Sequence, residues 1–214
     1  MPLYKEWKSD AYSLSAIWKI EEPESFFLSQ TGIHTSIKNP KRRLEHLAGR
    51  YLLKHVEQDF PLFAIKPDEH DKPRIDENQF FFSISHSYPY VAVVVSPYVE
   101  CGIDIQVWHP RMSLLQQKFL SLAEQKMFQG NDQWLTMAWC AKEAAYKWQG
   151  KRGVEFNEHL EIKNFQNNAT DFDMEVHLHL MSPSKLIMAK SFIDDGFACS
   201  YIVNNDELTN NNNK

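Results

Sequence analysis

Residues 139–147, Trp-Cys-Ala-Lys-Glu-Ala-Ala-Tyr-Lys, constrain the fold of this chain more than any other segment. The segment is rich in Ala, Lys and Glu and contains no Gly or Pro, and Gly150 follows where a glycine often ends a helix. It therefore predicts a long helix over residues 133–149. Glu143 and Lys147 are four residues apart and Trp139 lies one turn earlier, so all three side chains share one helical face.

Two interpretations of Glu143 and Lys147 are open. They can form an ion pair on a solvated helix face, a common arrangement that contributes about 0.2–0.5 kcal/mol. The other interpretation comes from Asp104, which lies within the apolar run 101–105 that predicts a buried strand. A buried carboxylate is costly unless it is paired, and a divalent metal ion shared with Glu143 on a facing helix would pair it.

Composition excludes several classes of protein. The 214 residues, 43% of them hydrophobic, suffice for one large domain or two small ones, and the net charge of −5 argues against a general nucleic-acid binder. The three cysteines are widely spaced without a Cys-x-x-Cys pair, which argues for a reducing compartment and against disulfides or a structural zinc site. The first ten residues lack a signal-peptide core and the longest apolar run, 91–95, cannot span a bilayer, so we expect a cytoplasmic protein without membrane contact.

Hydrophobic periodicity and helix caps divide the chain into two halves of similar element order. In the first half we predict strands at 12–20, 80–87 and 90–95, a short helix at 23–29, and a long helix that Asn39-Pro40 begins. In the second half we predict a strand around Ile103, a helix that Ser121 caps, the helix 133–149, and strands at 174–180, 186–193 and 197–203. This pattern predicts an α+β, pseudo-duplicated architecture of two subdomains, 1–97 and 98–204, with a ligand cleft between them and a disordered tail at 205–214.

The motifs together resemble a known family. Gly102-Ile103-Asp104, Glu124 and Trp139-x-x-Lys142-Glu143-Ala144-x-x-Lys147 are similar to the paired signature of the 4′-phosphopantetheinyl transferases. Length and layout resemble the surfactin-synthetase-activating (Sfp-type), two-subdomain branch, in which each half has a small, mostly antiparallel sheet and a long helix. The resemblance also covers Gly49-Arg50, Lys72-Pro73 and Ser85-His86-Ser87.

The resemblance implies an enzyme of the holo-acyl-carrier-protein synthase type. Such an enzyme transfers the phosphopantetheine arm of coenzyme A to a serine of an apo acyl or peptidyl carrier protein and releases adenosine 3′,5′-bisphosphate. It would use Mg²⁺, or Mn²⁺ in its place, and act as a monomer. The carrier could serve fatty-acid, polyketide or nonribosomal-peptide synthesis, and the sequence does not choose among them.

The resemblance also assigns roles in the second half of the chain. Asp104 and Glu143 would ligate the metal, and Glu143 would accept the serine proton directly or through a metal-bound water. Where many relatives have a second acid, this chain has Gln106, which would ligate the metal itself or orient a water. Lys147 would bind phosphate oxygens and stabilise the leaving group.

Three further residues of the second half are assigned supporting roles. Glu124 resembles the third acid of the family. It is also predicted to form a capping box with Ser121, and the two interpretations do not exclude each other. Trp139 shares the face of Glu143. Lys142 points about 100° away around the helix, so a surface lysine is favoured over a phosphate ligand.

The first half would hold the phosphates of coenzyme A. The candidates for this role are cations and donors, namely Arg50, Lys66, Lys72, Ser85 and His86. Gly49 before Arg50 would let a ligand or a neighbouring backbone come close. His177 and His179 are expected to be exposed strand positions. Two other functions stay open: a non-catalytic module that binds coenzyme A or a carrier protein, and a metal-dependent diphosphate hydrolase that uses the same carboxylates.

Overall fold

The computed structural model describes residues 2–75, 79–168, 171–181 and 183–203, and the predicted tail 205–214 lies outside them. In the first half, the strands are β1 (Leu3–Lys8), β2 (Leu14–Lys19), β3 (Ile65–Pro67), β4 (Pro73–Ile75), β5 (Phe81–Ser87) and β6 (Tyr90–Ser96), and the helices are α1 (Glu24–Thr31) and α2 (Pro40–Val56). In the second half, the strands are β7 (Cys101–Val107), β8 (Leu160–Asn168), β9 (Asp171–Leu178), β10 (Lys185–Asp194) and β11 (Phe197–Val203), and the helices are α3 (Met112–Leu115), α4 (Leu122–Phe128), α5 (Asp132–Gln149) and α6 (Phe156–His159).

The first half is an antiparallel sheet, in the order β1-β2-β6-β5, with α2 packed on one face. Asn39 caps α2 by accepting a hydrogen bond from the backbone N–H of Arg42, as the Asn-Pro pair predicts. Gly49 lies where α2 approaches β5, and a Cβ added there would lie 3.0 Å from Cγ2 of Ile84. The expected close neighbour of Gly49 is therefore a core side chain of the sheet.

The second half repeats the plan with the order β7-β11-β10-β9-β8 and with α5 packed on one face. Asn131 caps the start of α5, and Gly150 ends it in the left-handed conformation with φ of 73°. Gly102 lets β7 pass under α5, because a Cβ there would lie 2.1 Å from the carbonyl oxygen of Ala144. The predicted α+β class, with an antiparallel sheet and a long helix in each half, is confirmed.

Strands β5 and β7 join the two sheets through serine side chains. Ser83 Oγ accepts a hydrogen bond from the backbone N–H of Ile103 at 3.1 Å, and Ser87 Oγ accepts one from that of Val107 at 3.0 Å. Because alternate residues of a strand point to one side, Ser85 faces β7 as well. These contacts fix the edge of one sheet against the edge of the other, while the boundary at residue 97 between two subdomains stays a prediction.

Candidate active site

Asp104 lies in the middle of β7, and its side chain is placed where the two sheets meet. The residue is only 6% exposed. Its Oδ1 accepts a hydrogen bond from Ser85 Oγ at 2.6 Å and one from Lys147 Nζ at 2.7 Å. The partner that a buried carboxylate requires is thus supplied by a strand of the first half and a helix of the second.

Lys147 reaches Asp104 from the last turn of α5. Besides its ion pair with Asp104, its ammonium group donates to the carbonyl oxygen of Ile103 at 3.1 Å. The interpretation of Lys147 and Glu143 as a surface ion pair is therefore wrong, because Lys147 makes its ion pair across to β7. Its positive charge lies beside a buried carboxylate, at the edge of a cavity.

Glu143 lies one turn before Lys147 on α5 and is half-buried. Burial, with a further contribution from the negative charge of Asp104, raises the pKa of Glu143 to about 7, and the positive charge of Lys147 opposes the rise. A carboxyl with such a pKa can exchange a proton near neutral pH, which is the property required of a general acid or base. The geometry therefore gives Glu143 a chemical capacity that a surface glutamate lacks.

Gln106 and Glu143 line one wall of a cavity of about 520 Å³. The amide Nε2 of Gln106 donates to Ser87 Oγ at 3.2 Å and to the carbonyl oxygen of Val107 at 3.1 Å. With the amide nitrogen committed as a donor, the carbonyl oxygen is the atom of Gln106 that can accept a bond from a ligand or a water.

Aromatic and aliphatic side chains form most of this cavity. Trp139 lines it and packs against Phe119 and Phe156, with ring centroids 5.2 and 5.5 Å apart respectively. Met112 and Leu115 of α3 also contribute. The cavity thus joins an apolar region to the polar side chains of Gln106 and Glu143, so an elongated ligand with one polar and one apolar end would fit it.

The prediction that Lys142 is a surface lysine is wrong. Lys142 is fully buried, and its Nζ forms an ion pair with Glu124 at 2.7 Å while donating to the carbonyl oxygens of Phe119 and Phe156 at 2.7 and 3.0 Å. Burial lowers the pKa of Lys142, and the Glu124 carboxylate opposes the shift. Adjacent residues of a helix differ by about 100° in direction, so Lys142 does point away from Glu143. It points toward segments 116–121 and 156–159, however, and not toward solvent.

Glu124 forms the predicted capping box with Ser121 and does more besides. Its Oε2 accepts from the backbone N–H of Ser121 at 2.7 Å, and its Oε1 accepts from that of Ile162 at 2.8 Å. With the ion pair to Lys142, both carboxylate oxygens have partners inside the protein. These contacts join α4, α5 and β8 beneath the cavity, which makes Glu124 and Lys142 supports for the cavity wall.

Two arginines of α2 line a second cavity, of about 550 Å³, with His86 of β5. Arg42 and Arg50 contribute guanidinium groups there, and Glu45 pairs with His86 Nδ1 at 3.3 Å. Burial, assisted by the charges of Arg50 and His86, lowers the pKa of His46 to about 4. This cluster of positive groups and donors has the chemistry of a phosphate site.

Lys72 is held between the two halves. Its Nζ pairs with Glu100 at 2.9 Å and donates to the carbonyl oxygen of Trp148 at 3.2 Å. Lys72 and Lys147 both line a third cavity, of about 220 Å³, which shares Pro73 and Ile84 with the cavity of Arg50. Lys66 lies on β3 with its side chain exposed, and it lines neither the cavity of Lys72 nor that of Arg50.

Several residues of the site were given no role of their own in the sequence analysis. Glu45 and His46 lie in the cation cavity, and Ser83 and Ser87 hold β7 in place. A signal for the serines existed, because they alternate with Ile84 and His86 along β5 and so share one face with Ser85. Glu45 and His46 follow a run of basic residues at the start of α2, and their proximity to β5 depends on tertiary packing.

Comparison with known proteins finds a family that resembles the part of the chain containing this site. The profile described as "4'-phosphopantetheinyl transferase superfamily" matches residues 100–201, the segment that contains Asp104, Glu143 and Lys147. The second half of the chain is therefore similar to the 4′-phosphopantetheinyl transferase superfamily. The similarity covers the second sheet, α5 and the part of the site that contains Asp104, Glu143 and Lys147.

Two curated relatives support the assignment. The proteins named 4'-phosphopantetheinyl transferase AcpT from Escherichia coli O157:H7 and from Escherichia coli strain K12 are each 35% identical to the chain over 127 residues. The match covers 56% of this chain, and the chain spans 64% of the length of each relative. Among the described residues, no helix is both long and apolar enough to cross a membrane.

Proposed function

We propose that this protein transfers the 4′-phosphopantetheine arm of coenzyme A to a serine of an apo acyl or peptidyl carrier protein. The observation that carries the proposal is the cluster of Asp104, Glu143 and Lys147, in which Lys147 lines the cavity of Lys72 and Glu143 lines the largely apolar cavity. Coenzyme A has a matching order of groups: a bisphosphorylated nucleoside, a diphosphate, and a long arm of low charge. The similarity of residues 100–201 to the 4′-phosphopantetheinyl transferase superfamily and the AcpT relatives support the same chemistry.

Asp104, Glu143 and Gln106 fit a hard divalent cation, because the ligand atoms that these three side chains offer are oxygens. Asp104 and Glu143 would hold Mg²⁺, or Mn²⁺ in its place, and Gln106 would ligate it or orient one of its waters. When bound, such an ion neutralises negative charge on diphosphate oxygens. It would also offset the repulsion between Asp104 and Glu143 that contributes to the raised pKa of Glu143.

The transfer forms a bond between the serine Oγ of the carrier and the phosphorus next to the arm, and it breaks the bond from that phosphorus to the bridging oxygen of the diphosphate. Glu143 accepts the proton that the serine loses, directly or through a water. Lys147, which Asp104 orients, binds the phosphate oxygens and stabilises the charge that develops on the departing bisphosphate.

The first half would hold the phosphates that do not react. Arg50, His86 and His46 are suited to the 3′-phosphate, and a bound anion would favour the protonated imidazole of His46. Ser85 would act mainly by orienting Asp104, to which it already donates. Lys72 would reach the diphosphate by exchanging Glu100 for a phosphate oxygen, and Lys66 would serve at the rim. We propose that the protein is a two-subdomain, Sfp-type enzyme and that it acts as a monomer in the cytoplasm.

Two other functions make different predictions. A non-catalytic binding module would need neither an acid of raised pKa nor a lysine fixed beside it, so the geometry of Glu143 and Lys147 disfavours that function. A diphosphate hydrolase would use the same carboxylates and release phosphopantetheine without a carrier. A mass spectrum of the small-molecule products distinguishes hydrolysis from transfer.

Asp104→Ala and Glu143→Ala test the proposal. In the presence of Mg²⁺, coenzyme A and an apo carrier, each variant should lose most transfer activity, on the order of 10²–10³ in rate. Leu114→Ala is a suitable control variant for folding and handling, because the Leu114 side chain is 69% exposed. Near-normal turnover by either folded carboxylate variant would remove the basis of the assignment.

A further inference from the structure

Two histidines and a glutamate lie together on the second sheet, away from the candidate active site. Glu161 of β8 is the direct cross-strand partner of His177 on β9, and His179 follows two residues later. One potential ligand atom from each of the three residues lies within 4.8 Å of the other two. Both histidines were predicted to lie on a strand. His177 does, but β9 ends at Leu178 and His179 begins the following turn.

The backbone fixes this arrangement. His177 belongs to the face of β9 opposite Val176 and Leu178, which are buried under α5, so its side chain points to the outer face of the sheet. The backbone N–H of His179 donates to the carbonyl oxygen of His159 at 2.9 Å, which holds the turn against the start of β8. The two imidazole rings are 4.3 Å apart between centroids, and Nε2 of His179 lies 2.9 Å from Oε2 of Glu161.

The donor set selects a class of ion. Imidazole nitrogen is a good ligand for Zn²⁺, Ni²⁺, Cu²⁺ and Co²⁺, whereas Mg²⁺ and Ca²⁺ prefer oxygen donors. Two imidazoles and one carboxylate are three protein ligands, and a water completes the tetrahedron that Zn²⁺ favours. We propose that Glu161, His177 and His179 bind one transition-metal dication of the Zn²⁺ class and that the ion fastens β8, the edge strand, to β9.

This site is independent of the proposed transfer reaction. Strands β11 and β10 lie between β7, which bears Asp104, and β9, so the two places are roughly 14 Å apart at a strand spacing of about 4.8 Å. The chemistry differs as well, because the ligand atoms that Asp104 and Glu143 offer are oxygens and no imidazole is among them. Failure of either proposal therefore leaves the other standing.

Lys163 provides an internal test, because it competes for the same carboxylate. Its Nζ lies 2.7 Å from Oε2 of Glu161, the oxygen that also contacts His179. A metal ion at the site would have to displace this ammonium group or share the carboxylate with it. Removing the positive charge in Lys163→Met should therefore tighten metal binding, whereas a merely structural ion pair predicts no effect on metal affinity.

The experiment is a titration of the full chain with Zn²⁺ against a chromophoric chelator, repeated with Co²⁺ to record its absorption spectrum. We expect one ion per chain at the site, and binding at least about tenfold weaker in His177→Gln and in His179→Gln, since loss even of outer partners of a metal site costs about 10–100-fold. His70→Gln is the matched control, because His70 and His179 have side chains equally exposed at 37% and each pairs with a glutamate. Its affinity should be unchanged.

Hydrogen exchange tests whether the ion fastens the edge. Zn²⁺ should slow amide exchange along β8 in the natural chain and leave it unchanged in His177→Gln. Absence of binding, or binding that both histidine variants retain, would overturn the proposed site. Binding that is lost in Glu143→Gln instead would assign the ion to the other cluster, and binding without protection of β8 would overturn the fastening role.

Discussion

Glu143→Gln should stabilise the metal-free protein at alkaline pH, although the same change should impair transfer. The pKa of Glu143 is raised from its ordinary 4.5 to about 7, chiefly by burial and then by the charge of Asp104. In the unfolded chain the carboxyl loses its proton near pH 4.5, whereas in the folded chain it keeps it until about pH 7. The folded state therefore binds more protons in this window, and its stability falls as pH rises through it.

The magnitude follows from the size of the shift. Each pKa unit corresponds to about 1.36 kcal/mol, so ionised Glu143 destabilises the folded chain by about 3 kcal/mol above pH 7. Glutamine has nearly the same shape as glutamate and no charge. Burying its amide also has a desolvation cost, but a smaller one than burying a carboxylate. We therefore expect a net gain of about 1–3 kcal/mol at pH 8, shrinking toward zero or below at pH 4.5.

The assay is urea unfolding of both proteins in a metal chelator at pH 4.5, 6, 7 and 8. Glu124→Gln is the control, because that glutamate is equally part of a helix but is paired with buried Lys142. Breaking a buried ion pair costs about 3–5 kcal/mol, so the control should change stability in the opposite direction. Equal or lower stability of Glu143→Gln at pH 8, or a difference independent of pH, would refute the assigned environment of Glu143.

Three further predictions concern the rest of the site. Gln106→Glu should tighten the apparent Mg²⁺ affinity and keep activity, since it adds a charged oxygen ligand; an unchanged metal titration would place Gln106 outside the coordination sphere. Arg50→Ala should mainly raise KM for coenzyme A, whereas Lys147→Ala should mainly lower kcat. Replacing coenzyme A by 3′-dephospho-coenzyme A should reduce the activity of Arg50→Ala less than that of the natural enzyme. If the losses from the mutation and from the missing phosphate are additive, Arg50 does not contact the 3′-phosphate. Lys142→Met should destabilise the fold by about 3–5 kcal/mol in urea unfolding because it leaves Glu124 unpaired, and a neutral result would contradict this role.

The elements that carry the site were predictable from local signals. The Asn-Pro start of α2, the capping box of α4 and the glycine at the end of α5 are properties of neighbouring residues, and each occurs where predicted. The burial of Asp104 followed from its apolar neighbours on β7. In these cases short-range chemistry decides the structure.

Strands β1 and β8 were harder to predict. Strand β1 was not predicted, because its sequence, LYKEWK, places Lys and Glu among the aromatic residues and it is only partly buried. Strand β8 is the other edge of its sheet, and a shift in register between Ile162 and Asn164 interrupts its alternation. The alternation of apolar and polar residues is weak in an edge strand, because such a strand pairs with one neighbouring strand only and is partly exposed.

The environments of Lys142 and Lys72 could not be derived from the spacing of residues in the sequence. A helical angle of 100° states that Lys142 and Glu143 point in different directions, but not that α4 and α6 cover the direction of Lys142. Similarly, Lys72-Pro73 suggested a ligand contact without indicating that Glu100, 28 residues away, holds the ammonium group in the structure. Long-range contacts decide such cases.

The most direct test of the proposed transfer is a mass measurement on the carrier. Candidate apo acyl and peptidyl carrier proteins are incubated with the enzyme, Mg²⁺ and coenzyme A, and their intact masses are recorded. We predict an increase of about 340 Da, the mass of the transferred arm in this phosphoryl-transfer reaction, on the serine of at least one carrier, together with adenosine 3′,5′-bisphosphate in equal amount. The increase should disappear with Glu143→Ala. Unchanged masses for all carriers, or phosphopantetheine released while the carriers stay unmodified, would contradict the account.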